Sequence, residues 1–180
     1  MGNNNSIRNL IIGGLFVALG IVIPIAFHFI GAGSVFLPMH IPILLAGFIA
    51  GPTIGGFTGA ITPILSALLT GMPPLMPPKA QMMVAELAVY GLLSGFTYKV
   101  KHLNLILSLI IAMFGGRIVY GILAAFILPL FGFNPVPVFY PITAGIITSL
   151  PGVISQLVLI PPIVWLVERQ LKVNRYPNRI

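Results

Sequence analysis

The sequence predicts an all-α integral membrane protein: one domain, residues 1–180, folded as a six-helix transmembrane bundle with both termini in the cytoplasm. Three observations lead there. The chain is 58% hydrophobic and only 6% charged, with a mean hydropathy of +1.09, whereas a soluble domain keeps about a quarter of its residues charged to cover its surface. Its apolar runs have the length that a bilayer demands, about 20 residues for a helix. The basic residues fall almost entirely into the segments that an even number of crossings puts on one side.

Taken in order, the expected spans are 7–30, 38–50, 53–71, 80–98, 104–129 and 141–167. Each is bounded by breakers or charge: Gly31-Ala32-Gly33, Gly51-Pro52, the run Gly71-Met72-Pro73-Pro74-Leu75-Met76-Pro77-Pro78, Lys99 to His102, and Asn134-Pro135-Val136-Pro137. The second and third are short and nearly contiguous, which allows either a tight hairpin or a broken pair. The first is too long, and too poor in a small-residue cleavage pattern, for a cleavable signal peptide. The polar start Gly2 to Ser6 and the tail after Glu168 read as short solvated ends. The proline-rich run after Gly71 cannot be regular helix and makes a stiff apolar lid over one face.

With the amino terminus inside, cytoplasmic segments hold Arg8, Lys99, Lys101, Arg169, Lys172, Arg175 and Arg179, and the outer loops hold Lys79. A single span over 38–71 would break that asymmetry. The net charge of +7 is therefore read as topology; the scattered basic residues form no stripe that could follow a phosphate backbone, so no nucleic acid is expected.

Composition also removes chemistry. Without cysteine there is no disulfide framework, thiolate nucleophile or sulfur-ligated metal, and His28, His40 and His102 lack a metal-ligand spacing. Two acids, Glu86 and Glu168, offer no paired-carboxylate mechanism, and no aspartate or His-Glu-x-x-His pattern supports an intramembrane hydrolase. No catalytic residue, metal or cofactor is expected.

Charged groups inside spans cost roughly 2.5 kcal/mol or more and call for a reason. Glu86 in the fourth span and Arg117 in the fifth are such groups. They pair with each other, or they face a cavity and orient a polar solute; a pair that opens on binding satisfies both readings. Glu86 shares a helix face with Tyr90, and Arg117 with Tyr120, so each charge has an amphipathic ring beside it, though either tyrosine could simply pack or anchor. His40, at the mouth of the second span, and Lys79, closing the proline-rich loop, complete the candidate site; local satisfaction and plain solvation are their bland alternatives. Gln156, Ser149 and Ser155 carry less weight, because serine commonly bonds its own helix carbonyls. Gly14 and Ala18 form a small-xxx-small step on the first span that suits close helix approach.

Six short spans, Leu37-Pro38-Met39-His40-Ile41-Pro42, Gly71-Met72-Pro73-Pro74-Leu75, Glu86-Leu87-Ala88-Val89-Tyr90-Gly91 and Gly116-Arg117-Ile118-Val119-Tyr120-Gly121 together resemble the S-components of energy-coupling factor (ECF) vitamin importers, over nearly the whole chain. The resemblance implies a bacterial cell-membrane subunit that captures a vitamin outside. It then works with a coupling transmembrane subunit and two ATPases, tipping within the membrane to deliver its cargo. This chain has no Gly-x-x-x-x-Gly-Lys-Ser/Thr loop of its own. The resemblance places substrate near the outer face, among His40, Lys79, Glu86, Tyr90, Arg117 and Tyr120, and sets Gly14 and Ala18 where the family's first helix shows an alanine-xxx-alanine coupling step. The pantothenate-type members are most similar, with Arg117 or Lys79 suited to the carboxylate. Carriers of pyridoxine, hydroxymethylpyrimidine or cobalamin are the alternatives within the family, and a stand-alone secondary transporter is the alternative outside it. The small size, the lack of matched halves and the lack of a second intramembrane acid speak against that last reading.

Overall fold

The structure is a computed structural model that describes residues 2–29, 31, 36–76, 79–134, 137–139, 147 and 149–175, with backbone alone at 2–6 and 171–175. Ala32-Gly33, Pro77-Pro78, Pro135-Val136, Arg179 and the first part of the sixth expected span, 141–146, lie outside the described residues. The described residues form six α-helices and no strand: α1 (Gly2–Phe29), α2 (His40–Ala50), α3 (Pro52–Thr70), α4 (Lys79–Gly95), α5 (Leu105–Leu130) and α6 (Leu150–Arg175), with a π-helical turn, Phe96–Val100, continuing α4.

Four of these, α1, α3, α5 and α6, are long and apolar enough to cross a bilayer. The six expected crossings are thus not all reproduced by length. At 11 residues α2 extends only about 16 Å, half of a hydrocarbon core. The 17-residue α4 reaches spanning length only with its π turn, where Lys101 N–H donates to the Phe96 carbonyl at 3.0 Å. The helices also run past the expected solvated ends, starting at Gly2 and continuing beyond Glu168 to Arg175.

Helix ends follow the local chemistry. Gly51, at φ 96°, separates α2 from α3, and Pro52 opens α3 at a position where its missing N–H costs nothing. That settles 38–71 as two helices joined at one residue. Gly71, in the left-handed region, ends α3 and donates to the Ala67 carbonyl at 3.0 Å. Asn104 caps α5 by accepting from the Leu107 N–H at 2.7 Å.

The core is the short helix. Eight of the 11 residues of α2 are buried, and Ile43, Leu44, Ala46 and Phe48 have no exposed surface at all. It lies against α1, α3, α4 and α6, while α4 packs antiparallel to α3 and also against α5. What brings α2, α3 and α4 together is the absence of side chains between them. A Cβ at Gly47 would run into the Ser94 side chain and the Gly91 carbonyl; one at Gly91 would strike the backbone of Gly55; one at Gly59 would strike that of Leu87. Such contacts suit a membrane, where helices gain little from hydrophobic exclusion and pack through small residues. At the far end of this core Phe48 meets Tyr98 edge-on, with centroids 5.5 Å apart, and the Tyr98 hydroxyl donates to Glu168 Oε2 at 2.9 Å, tying the π turn to α6.

Gly91→Ala is expected to destabilise the protein by about 1–3 kcal/mol through overpacking against backbone that cannot move aside. Gly14→Ala, with nothing within 4 Å of the new methyl, should be neutral or stabilising by up to about 1 kcal/mol. Tyr98→Phe should cost about 1 kcal/mol for the lost bond to Glu168. Thermal unfolding of the detergent-solubilised variants, followed by helical circular dichroism, checks all three.

Candidate functional site: a polar-floored cavity at one end of the bundle

A cavity of about 950 Å³ opens at the end of the bundle where α1 and α3 finish and α2 and α4 begin. Small-molecule sites commonly span about 300–1,000 Å³. Its apolar wall comes from Pro24 and Ile25 of α1, Leu37 to Met39, Met83, and the loop Gly71 to Pro74. That loop is tied to the helix it follows: Ser66 Oγ donates to the Met72 carbonyl at 2.7 Å, Thr70 Oγ1 to the Ser66 carbonyl at 2.7 Å, and the Met72 N–H to Thr70 Oγ1 at 3.2 Å. On α1 His28 Nδ1 donates to the Pro24 carbonyl at 2.9 Å, fixing another wall residue.

Polar groups gather on the remaining side. His40 begins α2, its N–H held by the Leu37 carbonyl at 3.0 Å, and its side chain faces Glu86 of α4 with Nε2 and Oε1 3.8 Å apart. That separation exceeds a hydrogen bond, and neither imidazole nitrogen has a hydrogen-bond partner. Arg117 of α5 donates from Nη2 to Ser149 Oγ at 2.6 Å, joining α5 to the approach of α6 across 32 residues. His40, Glu86 and Arg117 are 3%, 7% and 8% exposed, so all three are taken out of water and their polar atoms must be answered within the site.

Of the six residues singled out in the sequence, His40, Lys79, Glu86, Arg117 and Tyr120 line this one cavity, drawn from three helices, with Lys79 exposed at its rim. Tyr90 does not line it. It is 1% exposed and lies behind the wall, its ring edge-on to His40 with centroids 4.9 Å apart and its hydroxyl beside the Arg117 guanidinium. Gly116 makes room for it, since a Cβ there would run into the Tyr90 ring. The Gly-Gly-Arg sequence of α5 thus pairs an absent side chain that admits Tyr90 with a long one that reaches the cavity.

Glu86 faces His40, and Arg117 bonds Ser149 and lies beside Tyr90; of the two expectations for Glu86 and Arg117, a mutual pair or a shared cavity, both residues line the cavity. Ser149 and His28 are the lining residues that sequence reasoning discounted. A serine within an expected apolar span carries no mark of a tertiary bond, and His28 has no partner near in sequence other than its own helix backbone. Gln156 is 1% exposed and both of its amide atoms are without a hydrogen-bond partner, two turns along α6 from Ser149. Among the described residues no group of three His, Asp or Glu could hold a metal ion. The arrangement is suited to holding a small solute by charge and hydrogen bonds within an apolar enclosure.

Gly14 and Ala18 are both exposed on α1, remote from the cavity, on a helix whose apolar surface is largely uncovered, including Leu10, Ile11, Leu15 and Val22. The end of the bundle opposite the cavity carries Arg8, Lys99, Lys101 and Arg169.

No curated protein and no solved structure matches the chain. The family of the ECF transporter substrate-specific component does, over residues 8–164. That match takes in every helix that builds the cavity, and on its strength the chain belongs to the ECF substrate-specific components, multi-pass membrane subunits that bind a small solute for transport and are not enzymes.

Proposed function

We propose that this protein is the capture subunit of a bacterial ECF vitamin importer and that its cargo is pantothenate. The cavity opens to the outside, six segments cross the membrane with both termini in the cytoplasm, and transport requires a coupling transmembrane subunit with two ATPases.

The observation that carries the substrate reading is the charge of the enclosure. Arg117 sits on its buried wall and Lys79 at its rim, against one acid, Glu86, so the lining bears a formal excess of one positive charge with neutral imidazoles. A monocarboxylate neutralises that excess, and a guanidinium held by Ser149 is a fixed anchor for it. Pyridoxine or hydroxymethylpyrimidine is the second reading, favoured by the close approach of His40 and Glu86, which could hold a ring nitrogen or hydroxyl. The cluster of Arg8, Lys99, Lys101 and Arg169 at the opposite end supports the orientation. The exposed Gly14 and Ala18 step, with open space beside Gly14, supports α1 as the surface that meets the coupling subunit.

Calorimetry of the detergent-solubilised protein with pantothenate, pyridoxine and cobalamin tests the cargo; saturable binding of pantothenate alone is expected. Arg117→Ala should weaken that binding by about 10- to 100-fold, the loss of a charge-assisted bond, while the protein stays folded. Undiminished binding would remove the anchor. Gly14→Leu and Ala18→Leu should bind as the parent does yet fail in uptake by cells expressing the coupling proteins, and normal uptake would remove the interface.

A further inference from the structure

We infer that His40 and Glu86 form a two-sided reader for a hydroxyl group on the solute, so that the cavity selects hydroxylated carboxylates over plain ones. The inference rests on the reading of the cavity as the solute site.

His40 lines the cavity at 3% exposure, and both of its ring nitrogens lack a hydrogen-bond partner. Buried polar atoms are seldom left so, and an orphan at a cavity wall points to a partner supplied by what enters. The spacing says what that partner is. A histidine and a carboxylate in direct contact would close to about 2.8 Å. Two atoms that each bond the same oxygen at about 2.8 Å end up about 4.6 Å apart at a tetrahedral angle and about 4 Å apart at a right angle. His40 Nε2 and Glu86 Oε1 stand at 3.8 Å, beyond a direct bond and at the narrow end of the spacing that one shared oxygen bridges.

A hydroxyl answers both sides with a single atom. With the Nε2–H tautomer of His40, a hydroxyl oxygen accepts from Nε2–H while its own hydrogen goes to Oε1, whereas a carbonyl could not donate to Glu86 and an ammonium could not accept from that N–H. The pair is held open from behind. Tyr90 meets the imidazole edge-on at 4.9 Å, and Tyr90 is itself seated over Gly116. His40 starts a helix whose next turn, Ile43 and Leu44, is wholly buried. Arg117 lines the same cavity, so a carboxylate and a hydroxyl on one small molecule are read together.

The test is calorimetry of the full chain in detergent with pantothenate, pyridoxine and hydroxymethylpyrimidine, each compared with analogues lacking one hydroxyl at a time. Removal of one hydroxyl from the compound that binds should weaken it by about 10- to 100-fold on the unaltered protein. In His40→Phe, which keeps a ring against Tyr90, and in Glu86→Leu, the parent should fall to the affinity of that deoxy analogue. The analogue should be little affected, and the two substitutions together should cost no more than either alone. Deoxy analogues that bind the unaltered protein as tightly as their parents would overturn the hydroxyl reader and leave the capture function standing. Equal losses for parent and analogue in both variants would also overturn it, by assigning the pair a purely structural role. No binding by any parent compound, from protein shown to be folded, would overturn the capture reading and this inference with it.

Discussion

Backbone-to-backbone contact among α2, α3 and α4 is the constraint on which everything else in this molecule rests. Gly47, Gly51, Gly55 and Gly59 recur every four residues across the α2–α3 joint, and Gly91 and Gly95 answer them from α4. In lipid the association of helices depends on such fit, because there is no water to exclude. The consequence for the cavity is positional. Tyr90 directly precedes Gly91, Glu86 directly precedes the Leu87 whose carbonyl faces Gly59, and His40 stands two turns from Gly47. The groups that form the cavity wall and its backing are thus indexed to the tightest contacts in the chain, and those contacts fix where their side chains start.

The sequence made much of this legible, and its silences have physical causes. Helix positions follow apolar length and breakers, so α1, α3 and α5 fall within a few residues of expectation, apart from the extra turn before Ile7. Glu86 and Arg117 stood out in the sequence because ionisable groups in spans are expensive; Tyr120 followed from helical spacing, and His40 and Lys79 from their places at a span entrance and a loop, and all five line one cavity. Tyr90 shows the limit: i,i+4 spacing puts it on the face of Glu86 but says nothing about depth, and depth is decided by Gly116 on another helix. Partner choice was equally hidden. Whether Glu86 meets Arg117 or His40 depends on how far α2 penetrates, and α2 was the least certain span. The four-residue glycine spacing was present in the sequence all along and would have revealed that packing.

Two acids in 180 residues leave little room for waste, and each faces an element distant in sequence. Glu86 faces His40 at the cavity end, and Glu168 accepts from Tyr98 at the other. Between them runs α2, carrying His40 at its first residue and Phe48, the neighbour of Tyr98, near its last. The short helix therefore meets an acid-bearing cluster at each of its own ends.

The single tryptophan lies in the second half of α6, 61% exposed, with the Arg169 guanidinium 5.5 Å from its ring centre, at the end away from the cavity. Aromatic rings of this kind favour the headgroup zone. Its fluorescence consequently reports how deep that end of the bundle rides in lipid. Trp165 does not line the cavity, so a spectral change on binding would register movement of α6 or of its lipid surroundings rather than contact with the solute. The chain carries its own depth gauge.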